Sequence, residues 1–392
     1  MLARIGKELR HLPLGIYLLA LITLFGLGVG VYRLVAGLGP TTNLNDAYPW
    51  GLWIGFDLFM VAFSGGAFTL AAIVYILQMH EFHPAIRPTV LTGLVGYSSV
   101  LVILIMDLGR WDRFYHFIIY PNINSALFEV SWCILLYTTV LISEFSPVVL
   151  ERLGSRRTLS LVKKLTIPLV IIGVTLSTLH QSSLGSLFVV MSERLHPLWH
   201  TPIIPLLFFI SSVAAGLAMV IGGATVSKWV FQRTLRRELV GELAWFLPWV
   251  LSFYLVVKLG ELLAVNEIGL LFSGDSYSLL FWAELFLGVV IPTLIFSFRT
   301  ARCNRLWALI GSALVLFGVF LNRFDATWFA LKPVEGFTYA PHWMEIAIQV
   351  GVLAGAVLVY TLIGRYFPLF EGTIHPDEET AKVPVELGRQ TA

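Results

Sequence analysis

Long apolar runs separated by short polar clusters dominate this chain. A bilayer core is about 30 Å thick and is crossed by roughly 20 helical residues, each rising about 1.5 Å. Ten stretches meet that need: 14–36, 51–79, 88–108, 125–143, 165–186, 203–226, 242–264, 279–298, 306–322 and 343–365. They predict an all-α, polytopic membrane protein of about ten transmembrane helices. The first run follows Arg4, Lys7 and Arg10, as a secretory signal would, but it is too long for a signal's apolar part and reads as an uncleaved first helix.

The polar clusters orient these helices. With ten crossings, five basic groups fall on one side. Arg4, Lys7 and Arg10 open the sequence, and Lys382 and Arg389 lie in its tail. Arg152, Arg156, Arg157, Lys163 and Lys164 follow the fourth span. Lys228, Arg233, Arg236 and Arg237 follow the sixth, and Arg299, Arg302 and Arg305 the eighth. The opposite loops are poor in Lys and Arg, and 265–278 has none. Because cytoplasmic loops carry the basic excess, both termini are expected in the cytoplasm. Residues 1–367 form one integral membrane domain, and 368–392 a polar cytoplasmic tail.

Composition narrows the class. Charged residues are 13% of the total and hydrophobic ones 57%, and the mean hydropathy is +0.82. Soluble proteins carry about 25% charged residues, so an ordinary soluble domain is excluded. A net charge of +2 argues against a nucleic-acid partner and leaves membrane lipids as the expected surroundings. The 12 Trp and 28 Phe residues suit the aromatic belts at the two membrane surfaces. Of the two cysteines, Cys133 falls in a span and Cys303 in a basic loop. An iron–sulfur cluster takes about four thiolates, so the protein is expected to build none.

A weak internal repeat is visible. Asp107-Leu108-Gly109-Arg110 is echoed by Lys258-Leu259-Gly260-Glu261, and Ser125-Ala126-Leu127-Phe128-Glu129 by Ser278-Leu279-Leu280-Phe281 leading to Glu284. Two parallel four-helix bundles follow, 51–186 and 203–322, flanked by the helices at 14–36 and 343–365.

Ionisable side chains are costly inside a bilayer and mark function by default. Asp57 lies about 10 Å inside the outer end of the second span, by the rise per residue. Asp107, Glu129, Lys258, Glu261, Glu284, Arg323 and Glu345 all sit near outer ends. His180, the one histidine expected inside a span, lies in the polar run Thr178-Leu179-His180-Gln181-Ser182-Ser183. These positions imply a polar site just inside the outer leaflet above a mostly dry inner half. Structural alternatives stand beside that reading. Asp107 with Arg110, and Lys258 with Glu261, fit helix-end ion pairs; Asp57 fits a packing pair with a buried arginine; Glu345 fits a water-facing helix start; Tyr97 fits packing. A transmembrane b-type haem takes two histidines from within helices. His11, His80, His83, His116, His196, His200, His342 and His375 all fall in loops or tails, so no haem is expected.

Several motifs together resemble a known family. Pro49-Trp50-Gly51-Leu52-Trp53-Ile54-Gly55-Phe56-Asp57 and the run Thr178 to Leu187 are the specific parts. Gly96-Tyr97-Ser98, Asp107 to Arg110, Asn122 to Glu129, His196-Pro197-Leu198-Trp199 and Tyr339 to Glu345 continue the likeness. The sequence resembles the NrfD/polysulfide-reductase membrane subunits, and within them the HybB type of nickel–iron hydrogenase-2, over nearly all of its length after the first helix. The resemblance implies a haem-free protein that binds a quinone, menaquinone or ubiquinone, near the periplasmic surface. It implies a ferredoxin-like iron–sulfur partner there, which holds a nickel–iron hydrogenase or molybdopterin catalytic subunit. The residues matching the family's quinone and proton groups are Tyr97, Asp107, Glu129 and His180. HybB-type relatives carry a glutamate in the inner part of the sixth helix, where this sequence reads Val220-Ile221-Gly222-Gly223-Ala224; the departure puts proton translocation by that route in doubt.

The expected role is to pass electrons between the iron–sulfur partner and the quinone pool. His180 and Gln181 would hold the quinone head, since an imidazole both gives and accepts a proton near neutral pH. Glu129 or Asp107 would refill the proton, Asp57 would add to the polar site, and Arg110 would orient the carboxylates or meet the partner. Two other classes remain open. A transporter would use helices broken at Ser64-Gly65-Gly66 and Gly222-Gly223, and a purely structural anchor would have no quinone pocket.

Overall fold

The computed structural model of the protein describes residues 13–191, 193–233 and 235–370. Among them, ten helices are long and apolar enough to cross a membrane. They are α1 (Leu14–Ala36), α2 (Gly51–Ile76), α3 (His80–Asp107), α4 (Ala126–Leu153) and α5 (Arg156–Val189). Then follow α6 (Ile204–Phe231), α7 (Arg237–Ala264), α8 (Ser276–Ser297), α9 (Arg305–Phe329) and α10 (Trp343–Tyr366). The ten expected spans are all present. The basic residues at 4, 7, 10, 382 and 389, together with His11 and His375, lie outside the described residues.

Helix ends differ from expectation where polar residues continue a helix instead of stopping it. The basic cluster after the fourth span is helical. There α4 runs to Leu153, is closed by Gly154 at a left-handed φ of 72°, and α5 starts at Arg156. Arginine and lysine are good helix formers, and at this depth their charged ends reach water. Glu151 of α4 lies 3.0 Å from Arg87 of α3 and 3.5 Å from Lys163 of α5, which ties three inner helix ends together. At the other surface α9 does not stop at Asn322 but winds through a π-helical turn, Asp325–Phe329.

The most enclosed helices are α2 and α6, and the most exposed are α1 and α5. Helix α6 touches α2, α5, α7 and α9. The two groups of four, α2–α5 and α6–α9, therefore meet along a broad seam. Glycines bring backbones together there, as small residues do between membrane helices. A Cβ on Gly216 of α6 would lie 2.6 Å from the backbone nitrogen of Gly66 in α2. Likewise Gly288 of α8 faces Gly318 of α9, and Gly26 of α1 faces Gly351 of α10. The break at Gly222-Gly223 that a transporter would use does not occur; α6 is continuous through it. Helix α2 loosens for one turn at Ser64 and Gly65, against α6.

Loops on the face away from the basic clusters interlock. Arg194 donates to the carbonyls of Ala47 at 2.7 Å and Lys332 at 2.9 Å. Leu195 and Leu331 form an isolated bridge, and Asn43 and Asn45 donate to the carbonyls of Ala340 and Thr338.

Candidate functional site

Helix α5 presents Ser177, His180, Gln181 and Ser183 to the interior, all of them buried. Spacings of three and four residues stack side chains along one helix face. That face meets three other helices. Gln181 Nε2 donates to the Val61 carbonyl of α2 at 3.1 Å. His180 Nδ1 lies 2.9 Å from the Tyr97 hydroxyl of α3. Ser183 Oγ donates to Glu129 Oε1 of α4 at 2.6 Å. The Tyr97 ring meets Tyr137 of α4 edge-on, with centroids 4.7 Å apart. Tyr97 thus packs and bonds at once.

This cluster is incompletely bonded. His180 Nε2 and Gln181 Oε1 are buried with no hydrogen-bond partner, while Ser177 lies beside the Tyr97 and Tyr137 hydroxyls. Such groups are uncommon in folded proteins and call for an account. When Tyr97 donates to Nδ1, the proton of the neutral ring resides on Nε2, free to be given to an acceptor such as a carbonyl oxygen. Glu129 is exposed while its partner Ser183 is buried. Their bond therefore lies where the α4–α5 seam meets the surface, one helical turn from His180.

The other expected residues separate into those the fold gathers and those it does not. Asp57 is buried, Asp107 half-buried, and the two carboxyls interact with each other. The cation that faces Asp107 is Arg33 of α1, fully buried, with Nη2 donating to the Leu108 carbonyl at 2.8 Å. Arg110 does not join them. Leu108 leaves α3 in an extended conformation, which carries Arg110 to the surface. There it makes two bonds to Asp112, at 3.0 and 2.8 Å. Those bonds hold the Asp112 carboxyl below its usual range and push the guanidinium up. Glu345 does not face water: it is fully buried and accepts from Asn43 N, His342 N and the Tyr339 hydroxyl at 2.8, 3.0 and 2.6 Å. Burial, and then the bond to Glu345, pushes the Tyr339 phenol up.

A second polar cluster fills the core of α6–α9. Glu284 accepts from Trp199 Nε1 at 2.9 Å, Asn322 Nδ2 at 3.0 Å and the Tyr254 hydroxyl at 3.3 Å. Arg323 donates to Asn322 Oδ1, the Phe208 carbonyl and Ser211 Oγ. It also lies 3.6 Å from the centre of the Phe208 ring. Lys258 does not pair with Glu261; it is buried and donates to the Leu198 carbonyl at 2.8 Å. Asp325, fully buried beside Glu284 and Lys258, has both oxygens without a complete bond.

Arg33 and Asp325, together with a further carboxyl, Glu144 of α4, escaped sequence reasoning. Arg33 is the one charge within the first apolar run. Asp325 follows Arg323, where the ninth span was expected to have ended. Glu144 follows Ser143, the expected end of the fourth. In both cases apolar residues resume beyond the polar one, Phe324, Ala326, Trp328 and Phe329 in α9 and Phe145 and Val148 in α4. That continuation was the available signal.

Ten spans with hydrogen-bonding groups enclosed between them define a polytopic membrane protein whose interior is chemically equipped. Among the described residues no group of three or more His, Cys, Asp or Glu is placed to hold a metal ion. The chain belongs to the NrfD family: the family described as "Polysulphide reductase, NrfD" matches residues 40–326. It is 32% identical to the "Probable Ni/Fe-hydrogenase 2 b-type cytochrome subunit" of Escherichia coli (strain K12), over 86% of this chain and 88% of that protein. It is equally 32% identical to the "Menaquinone reductase, integral membrane subunit" of Nitratidesulfovibrio vulgaris, over 88% of this chain and 89% of that protein. The "Protein NrfD" of Escherichia coli (strain K12) is 23% identical over 71% of this chain and 94% of its own length.

Proposed function

We propose that this protein is the quinone-reacting membrane subunit of a respiratory redox complex. One observation carries the reading: the enclosed Tyr97–His180 pair, its Nε2 unbonded, lies one turn from the Glu129–Ser183 bond where the α4–α5 seam meets the surface. A quinone head entering from lipid at that seam meets a donor for its carbonyl oxygen in His180 and a carboxylate able to exchange protons in Glu129. Preorganised donors aimed at developing charge are the main device of such catalysis. Two of the relatives are named for a menaquinone reductase and a hydrogenase, which suits this chemistry.

The electrons come from a partner, an iron–sulfur protein docked on the face of interlocked loops, which in turn carries a hydrogenase or molybdopterin subunit. The opposite face bears the basic clusters and lies in the cytoplasm of the inner membrane. The protein works without haem. His180, the histidine enclosed among the spans, is bonded through Nδ1 to Tyr97, and the other described histidines lie in loops or at helix ends. The Escherichia coli hydrogenase relative is named a b-type cytochrome subunit, so an absorption spectrum of the pure protein is the direct check; a haem Soret band would overturn this part. For the whole reading the test is His180→Ala in the intact complex. Quinone turnover is expected to disappear while the catalytic subunit still reduces a soluble dye. Retained quinone turnover would refute the assignment.

A further inference from the structure

On the basic face, the start of α1 and the ends of α6 and α10 leave a cleft between them. Its volume is about 960 Å³, at the large end of the range for small-molecule sites. Ile16 and Leu19 of α1 form one wall, Phe231 of α6 a second, and Thr361 and Arg365 of α10 a third. The segment from Phe367 to Phe370 lines the rest. Local geometry fixes this shape. Gln232 closes α6 at a left-handed φ of 53°, uncommon for a residue with a side chain. The chain therefore turns off the helix, and Arg233 comes to line the cleft. The segment after α10 is pinned, because Arg87 Nη1 donates to the Pro368 carbonyl at 2.9 Å and Leu369 is fully buried. The Phe231 and Phe370 rings lie 4.7 Å apart between centroids. On the α1 side there is room to spare: a Cβ on Gly15 would meet nothing within 4 Å.

The lining is divided by chemistry. Arg233 and Arg365 are exposed at the ends of their helices, and none of the described lining residues is acidic. Ile16 and Leu19 lie deeper, Leu19 about 9 Å along α1 from Pro13 by the rise per residue. Leu14 and Leu18 of the same helix are exposed, so the apolar wall borders lipid. Cations at the membrane surface with hydrocarbon beneath them match an amphiphile with an anionic head. A guanidinium bonds a phosphate through two parallel N–H groups. Anionic lipids gather in the cytoplasmic leaflet, and basic pockets between transmembrane helices on that side hold their headgroups. A soluble anion would gain nothing from the apolar wall.

We propose that this cleft binds one anionic phospholipid of the leaflet on the basic face, its phosphodiester held by Arg233 and Arg365 and an acyl chain laid along Ile16 and Leu19. The lipid joins α6, within the family-matched residues 40–326, to α1 and α10, which lie outside them. The site does not depend on the quinone reading.

The test uses the full-length chain in mild detergent, offered dioleoyl phosphatidylglycerol and dioleoyl phosphatidylcholine at equal concentration, with bound lipid read by native mass spectrometry. One phosphatidylglycerol should be retained, preferred about tenfold over the zwitterionic lipid, the scale of two basic residues acting on an anionic head. Arg233→Gln combined with Arg365→Gln should remove that preference. Arg156→Gln combined with Arg157→Gln, on the same face at the start of α5, should leave it unchanged. Gly15→Trp fills the cleft without altering a charge and should lower retention of the lipid. Equal retention of the two lipids by wild type would overturn the site. So would wild-type retention and preference in both the Arg233/Arg365 variant and Gly15→Trp. Release of phosphatidylglycerol by inorganic phosphate at the same concentration would mark a site for a soluble anion and overturn the lipid assignment.

Discussion

The two enclosed clusters of this protein are made of the same kinds of residue and are bonded in opposite ways. In α6–α9, Glu284 is held by three donors and Arg323 by three acceptors, and Asp325 is the member left over. In α2–α5, His180, Gln181 and Asp57 each keep an unbonded polar atom. A satisfied buried network rigidifies a core, whereas unpaired polar atoms in the same low-polarity setting cost free energy. The cluster in α6–α9 is bonded as one that holds helices together; the one in α2–α5 leaves polar atoms to spare, as the proposed function requires.

Removing the centre of the bonded cluster should have the largest effect. Glu284→Ala leaves Trp199, Tyr254 and Asn322 without an acceptor and Lys258 and Arg323 without their balancing charge. Breaking a buried charged network costs about 3 to 5 kcal/mol, so the purified variant should unfold at a much lower temperature in mild detergent; an unchanged midpoint would end the distinction. Gly288→Val attacks the same half without touching a polar group. It drives a side chain into Gly318 and should cost about 1 to 3 kcal/mol, typical of overpacking, read as a smaller drop in midpoint. Tyr97→Phe should reverse the balance, with about 1 kcal/mol of stability lost for the single bond but quinone turnover down about tenfold, on the scale of a disturbed proton donor. A matched Tyr254→Phe variant should leave turnover unchanged. Arg110→Ala should move neither midpoint nor turnover, because its pair with Asp112 lies wholly at the surface.

Much of this was legible in the sequence because lipid imposes one solution on the backbone. Every buried N–H and C=O must be bonded internally, so an apolar run of sufficient length is a helix, and all ten were visible. His180 and Glu129 stood out because polar residues inside such runs need a reason, whereas Tyr97 was singled out by the family resemblance alone. Depth was harder to read. Rules based on apolar length end a span at the first polar cluster, but backbone bonding carries α4 past Ser143 and α9 past Asn322. Glu144 and Asp325 were hidden by that difference. Arg110 failed for a different reason: the sequence places it just beyond the span that ends at 108, within reach of Asp107, and the extended Leu108 carries it to the surface instead. The buried role of Arg33 depends on α1 reaching Asp107 and Leu108 at the end of α3, and nothing in the local sequence encodes that long-range contact.

The contact between Gly66 and Gly216 has a mechanical consequence. Where two helices touch backbone to backbone, no flexible side chains remain between them to take up a shear. The seam between α2 and α6 then behaves as a pinned joint, around which one set of four helices has little freedom to rock against the other. Rearrangement within this domain is then left to side chains, turning inside a frame that stays still.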